Sequence, residues 1–250
     1  MFVDTHCHIT KDDYDNIDDL INKIISSGVN KIIVNGCDMK SNLDVLELTK
    51  KYDIVYGAIG FHPTELDDVN IEDLEWLEKH ICDDKIVALG EIGLDYHYEN
   101  TDKNKQIIYF KKQLDIAKKY SKPVIIHSRD SIQDTYDILK LYDLKGSLHC
   151  FSGSLEMARE FIKINYMIGV GGVVTYKNAK NIVDVINNIG LEYVLLETDS
   201  PYLTPEPFRK YKNDSSYIPV IAEKIAIIKD CSLDEIATTT SDNASRLFDF

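Results

Sequence analysis

Residues 2–9 read FVDTHCHI, a short apolar start that runs into two histidines one residue apart. In a β-strand alternate side chains share a face, so His6 and His8 point the same way and Cys7 the other. Two imidazoles aimed at one spot suit a metal ion well and a hydrophobic core poorly. Taken alone, His-x-His fits a pair of surface histidines on a frayed terminus equally well. The rest of the chain decides.

Short apolar runs recur at KIIVNG 31–36, IVYGAIG 54–60, IVALGE 86–91, PVIIH 123–127, SLHCF 147–151, MIGVGG 167–172 and VLLETD 194–199. With FVDTH at 2–6 they make eight predicted strands. Between them lie amphipathic segments such as IDDLINKIISSG at 17–28, with helical spacing and a glycine stop, and NKQIIYFKKQLDIAKKY at 104–120. Strands alternating with helices imply a parallel α/β sheet with crossovers, and eight strands close a (β/α)8 TIM barrel. An open doubly wound sheet is the alternative, but no strand-linked GxGxxG or Walker loop is present. GVGG at 169–172 lacks the spacing. No repeat, low-complexity tract or Pro/Gly/Ser linker divides the chain, so residues 1–250 are expected to form one domain.

The composition narrows the class. Hydrophobic residues make up 44% of the 250, enough for a full-sized core. There is no signal-peptide pattern, and no apolar run approaches the roughly 18 residues of a membrane span. Five cysteines with no CxxC suggest a reduced, cytoplasmic chain that uses them as small apolar fillers. A net charge of −14 argues against nucleic-acid binding over the whole surface. It leaves room for a nucleic acid held at one local site, because a metal centre supplies its own positive field.

Of the seven histidines, five fall at or just past the C-terminal end of a predicted strand: His6, His8, His62, His127 and His149. A TIM barrel gathers those ends on one face, where its active sites are built. His80 and His97 read as ordinary surface or loop residues. Strand 4 brings Glu91 to the same mouth in GEIGLDY, and strand 8 brings Asp199 in ETDSPYL. Four ligating histidines and two carboxylates exceed the needs of one tetrahedral ion and suit two divalent ions, with Glu91 or water between them. Alternation puts Asp4 on the face of His6 and His8, and Glu197 on that of Asp199. Either carboxylate could orient a ligating imidazole, or only bond a neighbouring backbone group or lysine.

Read together and in order, DTHCHI, GFHPTEL, GEIGLDYH, VIIHSRDS, LHCFSGS and ETDSPYLTP resemble the TatD family of metal-dependent deoxyribonucleases, within the amidohydrolase-type barrels. The likeness runs from residue 2 to the C-terminal SDNASRLF. It implies that His6, His8, Glu91 and Asp199 hold one ion, that Glu91, His127 and His149 hold the other, and that His62 lies near the substrate phosphate. FRKYKNDSSY at 208–217 corresponds to an RGKRNEPxY-like stretch of the family. Arg209, Asn213 and Tyr217 match it, while Lys210 replaces its glycine and Asp-Ser its Glu-Pro.

The implied reaction is hydrolysis of phosphodiester bonds, as a 3′ exonuclease on DNA, single-stranded or at 3′ ends, with Asp199 taking the proton from the attacking water. Arg129, Arg209, Lys210 and Lys212 border the expected mouth and could grip a few phosphates; Lys177 and Lys180 read as solvated charges. Imidazole-rich ligation favours Zn or Mn over Mg by softness, whereas the family is described as magnesium-dependent. The same barrel could instead hydrolyse an amide, ester or lactone, including D-aminoacyl-tRNA, or serve as a non-catalytic metal-binding scaffold. All proposed ligands lie on one chain, so a monomer with no obligate protein partner is expected.

Overall fold

The computed structural model describes residues 1–250. Eight parallel strands follow one another in sequence order around a barrel: β1 (Phe2–Cys7), β2 (Val29–Asn35), β3 (Val55–Ile59), β4 (Ile86–Asp95), β5 (Val124–Arg129), β6 (Gly146–Leu148), β7 (Tyr166–Val170) and β8 (Val194–Leu196). Helices alternate with them: α1 (Ile17–Ser26), α2 (Met39–Lys51), α3 (Ile71–His80), α4 (Lys103–Lys119), α5 (Ile132–Leu139), α6 (Leu155–Lys163) and α7 (Lys180–Asn188). Two more, α8 (Ile218–Lys229) and α9 (Leu233–Phe248), follow β8. No helix is long and apolar enough to cross a membrane.

The helices start where the sequence supplies caps. The Asn16 side chain accepts from the Asp19 N–H at the head of α1, and Asp38 forms a capping box with Ser41 at the head of α2. Each helix then turns an apolar stripe inward, Leu20, Ile21 and Ile24 in α1, against the outward residues of the strands. A separate apolar layer fills the barrel floor, where Val3, Ile33, Ala58, Ala88, Ile125, Met167 and Leu195 meet Leu247 and Phe248 from the last turn of α9. With that end sealed by hydrocarbon, the polar residues of the interior collect at the other.

Strand bounds differ from the sequence reading where the barrel closes and where the site is built. β6 and β8 are only three residues long, so His149 and Asp199 lie just beyond their strands rather than within them. The chain continuing from β8 closes the ring through hydrogen bonds. Thr198 and Asp199 N–H donate to the His6 carbonyl at 3.3 and 2.9 Å, His8 N–H to the Ser200 carbonyl at 2.7 Å, and the Thr5 hydroxyl to the Leu196 carbonyl at 3.0 Å. β4 runs on to Asp95, four residues past its expected end.

Two bulges shape the interior. Between Asp4 and Cys7 the chain advances three residues while its partner advances two, from Ile32 to Val34. The extra residue moves Asp4 off the face of His6 and onto the side of Cys7. Strict alternation therefore misplaces Asp4, which orients no imidazole ring. Its carboxylate instead accepts from the Thr198 N–H at 3.0 Å, the Thr198 hydroxyl at 2.6 Å and the His6 N–H at 3.1 Å, pinning the β1–β8 seam. The second bulge falls between Leu89 and Ile92 and brackets Glu91. Past it, Gly93 has φ +150°, and a Cβ there would lie 1.9 Å from the His127 carbonyl oxygen. Only glycine permits that approach of β4 to β5.

Asp4→Ala strands three buried donors at the seam, each costing about 1–3 kcal/mol. The variant is expected to lose about 3 kcal/mol or more of stability, read as a lowered urea midpoint with an unchanged m-value.

Candidate metal centre

The six side chains expected to ligate arrive from five strand ends and converge. His6 and His8 come from β1 and the residues after it, Glu91 from the β4 bulge, His127 from β5, His149 from just past β6, and Asp199 from just past β8. Glu91 lies at the centre. Its Oε2 is 3.3 Å from His6 Nε2 and 3.5 Å from His8 Nε2. Its Oε1 is 2.7 Å from His127 Nδ1, 2.8 Å from His149 Nε2 and 3.6 Å from His62 Nε2. One buried carboxylate thus turns one oxygen to each of two donor groups.

The spacing of the first group tests its fit to an ion. Ligands held at 2.0–2.1 Å in a tetrahedron stand about 3.4 Å apart. His6 and His8 Nε2 are 3.2 Å apart, each is 3.6 Å from Asp199 Oδ1, and their distances to Glu91 Oε2 fall in the same range. His6, His8 and Glu91, and likewise His6, His8 and Asp199, each make a triangle of the size a divalent cation needs. The second group, Glu91 Oε1, His127 Nδ1 and His149 Nε2, is a tighter triangle with edges of 2.7, 2.8 and 3.2 Å, the first two of hydrogen-bond length, and these three residues would hold a second ion by moving slightly apart. His6 and His149 rings stack with centroids 4.0 Å apart, tying the two groups together.

Burial and mutual charge set the protonation. Burial, reinforced by the neighbouring His149, lowers His6 to about 4. Burial opposes charge on His149 too, but Glu91, Asp199 and Glu197 outweigh it and lift that ring to about 9. Burial would raise Glu91, yet His149, His6, His62 and His127 together hold it well below the usual carboxylate range. Asp199 is likewise ionised against its burial, through His8, His149 and His6. Without cations, protonated imidazoles balance the two carboxylates; divalent ions do that work by displacing protons.

The chain matches the model of the TatD-related DNase family over residues 3–249. It belongs to the TatD family. It is 41% identical over 252 residues to the metal-dependent hydrolase YabD of Bacillus subtilis, covering 99% of each chain. To the metal-dependent hydrolase YcfH of Escherichia coli K12 it is 35% identical, covering 99% of this chain and 96% of that one. The crystal structure of the TatD homologue YjjV from Escherichia coli K12 superposes with a TM-score of 0.95 at 34% identity, over 100% of this chain and 98% of that one. The protein is therefore a metal-dependent hydrolase on a TIM barrel.

Around the ligand-type residues of this TatD-family hydrolase stand groups that hold them. Glu197 lies behind His149, its Oε1 3.9 Å from Nδ1, and accepts from the Cys150 N–H. Burial raises the Glu197 carboxyl to about 8. A Cβ on Gly169 would come within 2.3 Å of its Oε2, so glycine makes the room. The Asn35 carbonyl accepts from His8 Nδ1 at 2.9 Å, which turns Nε2 toward Glu91 and Asp199. Asp95 lies beyond the apolar run that ends at Glu91, on the continuation of β4. Its Oδ2 is 3.1 Å from His127 Nε2, and counting by two from Glu91 through Gly93 reaches it. Cys37, read as a filler, stands beside the cluster with Sγ 3.7 Å from His8 Nδ1 and 3.9 Å from Glu91 Oε2.

The residues expected at the substrate divide. His62 faces Glu91 with Nε2, and its Nδ1 lies 2.7 Å from the Thr64 hydroxyl oxygen and 3.2 Å from the Thr64 backbone nitrogen. Burial keeps it neutral, lowering it to about 3. Arg129 and Arg209 are exposed with no carboxylate within 4 Å, Arg209 stacked 4.0 Å above the Tyr176 ring. Asn213 is buried and cannot touch substrate; its amide donates to the Thr198 and Tyr202 carbonyls and braces the loop after β8. Tyr217 packs against Phe208 with Lys23 of α1 over its ring, on the outer flank rather than in the mouth. Lys212 donates to the Asp13 carbonyl, and Lys210 lies over Tyr211. Lys177 and Lys180 are exposed, while His80 and His97 pair with Asp83 and Asp130.

Binding of a divalent cation to chelator-treated protein is expected to release protons, measurable in weak buffer, with affinity rising from pH 6 to 9 as His149 loses its proton. Asp95→Asn should leave the fold intact and weaken cation uptake about 10- to 100-fold, measured by competition with a metal indicator.

Proposed function

We propose that the protein hydrolyses phosphodiester bonds in DNA from the 3′ end, with two divalent ions divided between the two donor groups. The observation that carries this reading is Glu91 facing both groups at once. His6, His8, Glu91 and Asp199 are the residues that would hold one ion; Glu91, His127 and His149 would hold the second. When bound, such a pair acidifies water and neutralises charge growing on phosphoryl oxygens.

The remaining work falls to the chain. Asp199 presents Oδ1 to His6 and His8, which leaves Oδ2 to accept a proton from the attacking water and to pass it to the leaving 3′ oxygen. Its ionised state at neutral pH suits a base. With its proton on Nε2, which points toward the centre, His62 would donate to a phosphate oxygen. Arg129 and Arg209, free of carboxylates, can each bind a phosphate in two-point fashion. Against a net charge of −14, so few cations hold a short piece of strand and not a long duplex.

In a panel of single-stranded DNA, duplex DNA, esters, lactones and D-aminoacyl-tRNA, the metal-loaded protein should release mononucleotides from single strands and stop when chelator is added. Turnover confined to acyl substrates would replace this reading with a deacylase, and no turnover at all would leave a metal-binding scaffold. Asp199→Asn is expected to lower kcat about 10²- to 10⁴-fold while the protein remains folded by circular dichroism. The dependence of log KM on log salt should correspond to about two phosphates, a slope near 1.4 in magnitude at about 0.7 per phosphate.

A further inference from the structure

Apart from Met1 at the terminus and Leu141 just after α5, the large apolar side chains left exposed fall into two sets. Ile25, Leu43, Ile71, Ile108 and Ile227 lie on the outer helices, where scattered aliphatic residues are ordinary. The exposed aromatic ones, Tyr98, Tyr202 and Tyr211, all lie in loops that follow β4 and β8, on the face that carries the metal centre. That segregation is chemical as well as spatial.

One of these rings stands beside the centre. Tyr202 is 63% exposed and its ring centroid is 6.5 Å from that of His8. Its backbone is fixed at both ends, the N–H donating to the Asp199 carbonyl at 2.9 Å and the carbonyl accepting from Asn213. Its hydroxyl makes no hydrogen bond within the protein, so the ring is held in place without being engaged. Tyr98 is 57% exposed and lies after β4, with the Arg129 guanidinium 5.9 Å from its centroid. In a ring of eight strands, β8 and β1 stand across the mouth from β4 and β5.

We propose that Tyr202 is a base-stacking face, holding the base of the terminal nucleotide on its ring while the phosphate lies at the centre. Aromatic platforms interleaved with cations bind single strands with little sequence preference, since every base offers a π-face. A base inside a duplex has both faces covered by its neighbours and cannot use them. The inference rests on the phosphodiester reading above and deepens it.

The test compares Tyr202→Ala and Tyr202→Phe with the wild type on two single-stranded oligonucleotides, one ending in a normal nucleotide and one with an abasic 3′ residue. Tyr202→Ala should raise KM about tenfold on the normal end with kcat nearly unchanged, and Tyr202→Phe should restore KM. On the abasic end the difference between wild type and Tyr202→Ala should vanish. An equal penalty on both ends would mean that Tyr202 only braces His8, and an unchanged KM on the normal end would mean that it does not touch the base. Either result overturns the stacking role while leaving the nuclease reading intact. Failure of the wild type to degrade any strand overturns both.

Discussion

The centre depends on one buried carboxylate. Glu91 is 3% exposed and would be costly to ionise alone in the barrel, where desolvation of a charge amounts to several kcal/mol. Five imidazole nitrogens within 3.6 Å reverse that cost. The same imidazoles could not crowd together without the negative charge among them. Carboxylate and histidines are thus mutually required, and they are gathered from several strand ends.

Such a cluster needs a scaffold that does not yield. The apolar floor under it, closed by Leu247 and Phe248, keeps water from the lower barrel and fixes the strands on which the donors stand. The two bulges then adjust individual directions: one frees Asp4 from the ligand face, the other brackets Glu91. Behind the donors, the Asn35 carbonyl and Asp95 meet the far nitrogens of His8 and His127, so that rotation of either ring away from the centre breaks a contact.

Much of this was legible in the sequence because strand-end chemistry is local. A histidine or carboxylate at the end of an apolar run is visible without coordinates, and eight such runs fix where the ends meet. What alternation could not show is a bulge, which leaves no compositional mark between Asp4 and Cys7. The same limit hid Asp95, since an apolar run interrupted by Glu91 looks finished while the strand continues. Loop residues were the hardest. Asn213 sits in a stretch with a family-like pattern, yet its amide faces two carbonyls of its own loop, and no spacing rule separates a residue that touches substrate from one that holds up its neighbour.

The seam between β1 and β8 has a consequence for the life of the chain. His6 and Asp199, which face each other across that join, are among the first and the last of the cluster's residues to leave the ribosome. A polypeptide still being made, or one broken off before residue 199, has half of the pocket and nothing to complete it. Hydrolase activity is in this way withheld from unfinished copies, and assembly of the last parallel strand serves as its licence.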